Sequence, residues 1–230
     1  MNVNDMYRIC QFAVNKAQNG YLTPSEFNLI INQAQVSYQD YLLGEFQQYQ
    51  YGRPQARINY SQNENIRQRL SPLITSATLT INGAGKATYP ADYVQTDSII
   101  TTAFNRVRYS QQDTLYSYYN SQIDPIATNP IYLLEPTGFQ FYPVTLGTAN
   151  LTYVKDAPEI VWAYTTVSGR PVYAPTQTGV GVTPTTGTVQ PVWDNVDLLE
   201  IIARALKLIG LNLQDGQVQQ YANQVTQTGQ

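Results

Sequence analysis

From Val3 to Gln18 the apolar residues Met6, Ile9, Cys10, Ala13, Val14 and Ala17 return every three or four positions, and Asn19-Gly20 follows as a stop, so the chain opens with an amphipathic helix. In Leu22-Thr23-Pro24-Ser25-Glu26-Phe27, Thr23 can cap a second helix and Glu26 can reach back to its amide. Pro24 suits the first turn, and Leu22 can staple onto Phe27. Helical spacing then runs through Phe27, Ile30, Ile31, Ala34, Tyr38, Tyr41, Leu42, Phe46 and Tyr49 to about Gln50, which assigns Gln33, Gln35, Gln39, Gln47 and Gln48 to the surface. Gly44 weakens this helix by about 1 kcal/mol relative to alanine. Ser61 with Glu64 predicts a shorter third helix through Ile66 and Leu70, closed by Ser71-Pro72.

At Ala77 the period changes. Thr78-Leu79-Thr80-Ile81 alternates, Asn82-Gly83-Ala84-Gly85 is turn chemistry and Lys86 to Tyr89 returns, which predicts a hairpin. Further strands are expected at 98–108, 131–135, 138–142, 149–155 and 159–164, with a polar helical turn at 112–119. Such short, closely spaced strands suggest an antiparallel β-sandwich or small barrel. Residues 165–191 form a threonine-rich, nearly uncharged run punctuated by glycine and proline, read as a long extended arm or hairpin suited to pairing with a neighbouring strand edge. Helices close the chain: Val196 to Ile209 with Gly210 as stop, then Asp215 to about Gln227. The fold class is α+β, with N-terminal helices over 1–75, a β-rich domain over 76–164, the arm over 165–191 and C-terminal helices over 192–230 that pack on the N-terminal ones.

Composition narrows the chemistry. The 230 residues include 19 tyrosines, one cysteine and no histidine, and only 13% are charged. Histidine and cysteine supply most acid–base and transition-metal sites, so this chain is short of both. Tyrosine instead combines a rigid apolar body with a polar tip, as protein interfaces favour. The interface candidates are Tyr38, Tyr41, Phe46, Tyr49, Trp162, Tyr164, Tyr173, Val180 and Val182. No catalytic, metal or cofactor-binding residue is assigned, and no cofactor is expected. The segment Asn82–Lys86 resembles a phosphate loop only superficially, since no Ser or Thr follows the lysine. Asp92, Asp97, Asp124, Glu135, Asp156 and Glu159 could meet as a glycosidase pair, but no spacing favours it. Trp162, Tyr164 and Tyr173 could stack on sugars, which gives a carbohydrate- or receptor-binding module as the alternative reading.

A net charge of −3 leaves no basic footprint for gripping nucleic acid. Cys10 alone makes no internal disulfide and reads as a small buried apolar side chain. The amino terminus has neither a basic start nor an apolar run, so no secretory signal is expected. The most apolar stretch, Val196 to Leu213, carries Asp197, Glu200, Arg204 and Lys207, too many charges for a membrane anchor.

Three stretches resemble structural proteins of tailed bacteriophages, in particular the small connector proteins stacked below the portal in crAss-like podoviruses. They are Gly20-Tyr-Leu-Thr-Pro-Ser-Glu-Phe-Asn28 with Tyr49-Gln-Tyr-Gly-Arg-Pro54, then Tyr89-Pro-Ala-Asp-Tyr93, then Tyr153-Val-Lys-Asp-Ala-Pro-Glu-Ile-Val-Trp-Ala-Tyr164 followed by Leu208-Ile-Gly-Leu-Asn-Leu-Gln-Asp215. The motifs are short, and their order along the chain carries the resemblance. It implies a non-enzymatic, ring-forming head-tail connector of the virion that joins the portal to other tail or ring proteins around a DNA channel. Assembly in the host cytoplasm and a homo-oligomeric ring, dodecameric in such adaptors, are the matching expectations. DNA would pass without specific binding, and no membrane would be involved.

Overall fold

A computed structural model of the chain describes residues 1–16, 21–47, 58–119 and 124–212. The chain is α+β and divides into two compact units: Met1–Pro72 with Ala157–Gln230, and Leu73–Asp156 inserted between them in sequence. The helices are α1 (Val3–Lys16), α2 (Pro24–Gln47), α3 (Ile58–Leu70), α4 (Gln112–Tyr119) and α5 (Asn195–Asn212). The strands are β1 (Ile74–Thr80), β2 (Lys86–Thr88), β3 (Tyr93–Thr101), β4 (Arg108–Tyr109), β5 (Ile131–Glu135), β6 (Gly138–Tyr142), β7 (Thr148–Lys155), β8 (Tyr164–Val167), β9 (Arg170–Tyr173) and β10 (Val182–Thr183).

In the first unit, α2 begins where its cap demands. The Thr23 amide donates to Glu26 Oε2 at 2.9 Å and the Glu26 amide donates to Thr23 Oγ1 at 3.3 Å, while Leu22 and Phe27 are both buried. The Thr23 hydroxyl also donates to Glu26 Oε2 at 2.7 Å, and this bond, together with that from the Thr23 amide, lowers the Glu26 carboxyl from its ordinary value. Helix α5 lies against α1 and α2 through Leu198, Ile201, Ile202, Ala205, Leu206 and Ile209. It runs past Gly210, the expected stop, to Asn212. The expected helix over 215–227 lies outside the described residues, as does the chain directly after α2. Helix α3 starts at Ile58, so Ser61 sits inside it and not at its cap.

Residues 157–162 correct two expectations at once. Instead of a strand over 159–164, this segment is extended chain whose backbone bonds go to side-chain amides of α2, with only an isolated bridge between Val161 and Val189 and regular strand beginning at Tyr164. Asn28 accepts from the Trp162 amide at 2.8 Å and donates to its carbonyl at 3.2 Å. Asn32 does the same for Ile160, at 2.8 and 2.9 Å. Gln35 donates to Pro158 O at 3.0 Å, and Gln39 accepts from the Ala157 amide at 3.3 Å. Gln35 and Gln39, assigned to the surface by helical spacing, are therefore buried. The geometry explains why: four helical residues rise about 6 Å and two extended residues about 6.6 Å, so amides one turn apart meet alternate peptide groups.

The arm over 165–191 is also compact. β8 and β9 form a hairpin across Ser168 and Gly169, both with positive φ (49° and 76°), and β10 adds to β8 to give the order β10-β8-β9. A two-residue hairpin hydrogen-bonds its closing pair, Val167 and Arg170, inward, which turns position 171 outward. Pro171 therefore removes a donor from the free edge of β9, so this edge is blunted against strand addition and not suited to it.

The inserted unit holds two sheets of order β1-β7-β3 and β2-β6-β5-β4. All pairs are antiparallel except β4 with β5. The expected strand over 98–108 is broken after Thr101, where Phe104 takes a φ of 62°. The chain then returns: the Val107 amide donates to Ile99 O at 2.9 Å before β4 joins β5. At the opposite margin the Asn82 amide donates to Lys86 O at 2.9 Å, so the predicted hairpin turn exists, but its arms separate into different sheets. Joined at both margins, the sheets close around one core that includes Leu79, Ile99, Tyr132, Phe139, Phe141 and Leu151.

These contacts can be tested by substitution. Asn32→Ala strips both partners from the buried Ile160 peptide and should cost about 2–5 kcal/mol in urea unfolding; a loss below about 1 kcal/mol would remove the structural role given to this amide. A Cβ on Gly138 would stand 2.0 Å from Ala87 O, whereas Gly83 has nothing within 4 Å. Gly138→Ala should lower stability by about 2–3 kcal/mol while Gly83→Ala leaves it within about 0.5 kcal/mol, and equal effects would contradict the close β2–β6 approach.

Candidate interaction surfaces

Burial sorts the interface candidates. Tyr38 is completely buried, so it belongs to the core of its unit and not to a surface. Its hydroxyl donates to Asp197 Oδ1 at 2.6 Å and accepts from Arg69 Nη1 at 3.4 Å, and Arg69 Nε stands 3.8 Å from the same carboxylate. Trp193 meets the Tyr38 ring edge-on at 5.3 Å. This group ties α2, α3 and the first turn of α5 together. Burial pushes the Tyr38 phenol up, with Asp197 adding to the effect. Burial also raises the Asp197 carboxyl, against the opposing pull of the Tyr38 hydrogen bond and the Arg69 charge.

Tyr41 is partly exposed, and the Arg204 guanidinium lies 4.7 Å from its ring centre. The side chain of Phe46, and all of Tyr49, lie outside the described residues. Trp162 is buried, with ring centres of Tyr7, Tyr164 and Tyr173 at 4.3, 5.9 and 5.7 Å, each at a shallow interplanar angle. Its indole donates to Asn4 Oδ1 at 3.1 Å. A ring already stacked within its own chain is no platform for a sugar, so the aromatic group that gave the alternative reading packs α1 against the β8–β9 hairpin. Tyr164 and Tyr173 remain half-buried.

The two valines part company. Val182 is buried with Ala163 and Ala174, because β10 turns it inward. Val180 is fully exposed between Gly179 and Gly181, whose φ values of 95° and 88° suit glycine. The turn is tied by the Gly179 amide to Thr185 O at 2.8 Å and the Val182 amide to Gly179 O at 3.2 Å.

Sequence reasoning missed a second set of surface residues, because it assigned each helix a single apolar face. On α2 the core positions are Phe27, Ile31, Ala34, Tyr38 and Leu42, yet Leu29 and Val36, on the opposite side, are 72% and 52% exposed. On α1, Phe12 is 68% exposed and Ile9 lies partly open beside it; on α5, Val196 and Leu199 are exposed. The signal was present as i, i+7 and i, i+3 spacing outside the main stripe.

Other chemistry is sparse. Burial pushes the Cys10 thiol up to about 12, which keeps it protonated and inert. Among the described residues no cluster of three His, Cys, Asp or Glu is placed to hold a metal ion, and no helix is long and apolar enough to cross a membrane. In the inserted unit an open groove of about 390 Å³ runs between β4, α4 and β5, lined by residues that include Tyr109, Gln111, Leu134 and Glu135. The superficial phosphate loop is a turn whose Lys86 Nζ pairs with Glu135 at 2.7 Å. No protein-family model and no curated protein matches the chain.

The Asp197 carboxyl yields a pH prediction. Its folded pKa lies above the ordinary value of 3.8, so the folded state holds the proton more tightly and stability falls as pH rises from about 3.8 through the raised value. Asp197→Asn keeps an acceptor for Tyr38 but does not titrate. Relative to wild type, the variant should gain stability across that window in urea unfolding from pH 4 to 7. A pH-independent difference, or one of the opposite sign, would contradict a destabilised carboxylate.

Proposed function

We propose that the chain is a non-enzymatic virion structural protein: a ring-forming connector at the head-tail junction of a tailed bacteriophage, joined to the portal and to other tail or ring proteins. The observation that carries this reading is the set of large apolar side chains on the sides of α1, α2 and α5 turned away from the core, with Val180 at a constrained tip. Exposed apolar patches mark contact surfaces, and a subunit that closes a ring needs two different ones. The net charge of −3 suits a channel wall along which DNA slides without being held. The order of the phage-like motifs along the chain supports the same placement.

The carbohydrate-binding reading used Trp162, Tyr164 and Tyr173, and the two tyrosine rings stack on the indole, with Tyr7 on the Trp162 ring as well. No observation now favours it. Cryo-electron microscopy of particles that contain the chain tests the proposal: copies should form a closed ring in the portal-proximal part of the tail. Density for the chain only at the distal adsorption apparatus, or its absence from particles, would overturn it.

A further inference from the structure

The outward faces of α1 and α2 match each other in spacing, polarity and charge. Opposite the core of α2, one line of positions runs Leu29, Gln33, Val36, Asp40 and Leu43, with Leu29, Gln33, Val36 and Asp40 exposed. Opposite the core of α1, the corresponding line is Arg8, Phe12 and Asn15, all exposed. Neither Arg8 nor Asp40 has an ion-pair partner among the described residues.

We infer that these two faces form the contact between neighbouring copies: the outer face of α1 from one copy docks antiparallel on the outer face of α2 from the next. In that register Phe12 meets Val36, and the i−4 position on α1 falls opposite the i+4 position on α2, which brings Arg8 to Asp40. Going the other way, Asn15 meets Gln33. Phe12 thus finds an apolar partner in Val36, the cation finds the anion, and the two amides face each other. The reversed alignment that keeps Arg8 on Asp40 would set Phe12 against Gly44 and Val36 against Asn4, with no apolar pair.

The two faces differ, so the contact is heterologous: each copy offers α1 to one neighbour and α2 to the other. Repetition closes a ring or runs on as a filament. A charged rim beside an apolar contact is the usual division of labour in interfaces, the apolar part for affinity and the charges for orientation. The inference deepens the connector reading and rests on it, because it names the surfaces by which the ring would close.

Cysteine cross-linking tests it on the full chain. Phe12→Cys and Val36→Cys are both at exposed positions, and Cys10 is buried, so it stays out of the reaction. After mild oxidation, each single variant alone should give little covalent dimer, a mixture of the two should give heterodimer, and Phe12→Cys/Val36→Cys in one chain should give a ladder of covalent multimers. Arg8→Glu or Asp40→Arg alone should weaken assembly at least about fivefold in analytical ultracentrifugation, and the two together should restore it. Strong dimer from Val36→Cys alone would mean that α2 packs on α2, which overturns the inference. Rings seen by microscopy in wild type, with no cross-link in the mixture, would overturn this contact while leaving the connector reading in place. Absence of any assembly, both in solution and in particles, would overturn both.

Discussion

The first unit depends on a row of amides. Asn28, Asn32, Gln35 and Gln39 lie along one face of α2 and satisfy the peptide groups of 157–162, a segment with almost no strand to pair with. Buried peptide groups without partners cost about 1–3 kcal/mol each, so this stretch could not enter the core without them. Its entry sets the course of the rest of the unit. Ile160 and Trp162 are buried beside α1 and α2, the β8–β9 hairpin is placed over Trp162, and the chain returns through Val189 toward Trp193 and α5. At the far end, Tyr38, Asp197 and Arg69 bind α5 and α3 to the same helix.

Because α2 commits its inner face and its amide row to its own chain, only its outer face is left for another. That face carries Leu29 and Val36, and α1 carries Phe12 in the same sense. The interior is thus complete within one chain, and these apolar side chains are left on its surface. Tyrosine abundance, which pointed to interfaces in general, resolves differently. Tyr7, Tyr38, Tyr132 and Tyr153 are buried, and Tyr89 and Tyr93 stack at 4.5 Å against the core of the inserted unit. Among the described residues these six tyrosines build the cores while Tyr21 and Tyr109 stay exposed, and aliphatic residues together with Phe12 mark the outer faces.

The sequence made α1, α2 with its cap, α4, α5, β5, β6 and β7 legible, because each is a local pattern: periodicity, a capping box, or alternation between turn residues. It concealed whatever rests on distant partners. Residues 159–164 have strand-like composition, and nothing near them reveals that side-chain amides replace a neighbouring strand. Gln35 and Gln39 read as surface for the same reason, since an amide's burial depends on what it meets. Trp162 and Tyr38 were misassigned because an aromatic side chain fits a core as well as an interface, and only burial separates the two. Val180 stands exposed between Gly179 and Gly181, a turn pattern that is local and so visible in the sequence.

Hydrogen–deuterium exchange, followed at the amides of Ile160 and Trp162 in the free chain and after assembly, tests most directly whether one chain completes this core. Both amides should be strongly protected in the free chain and gain nothing on assembly, since Asn32 and Asn28 of the same chain already hold them. Rapid exchange in the free chain, with protection appearing only on assembly, would show that a neighbour completes the core and would contradict the role given to the amide row.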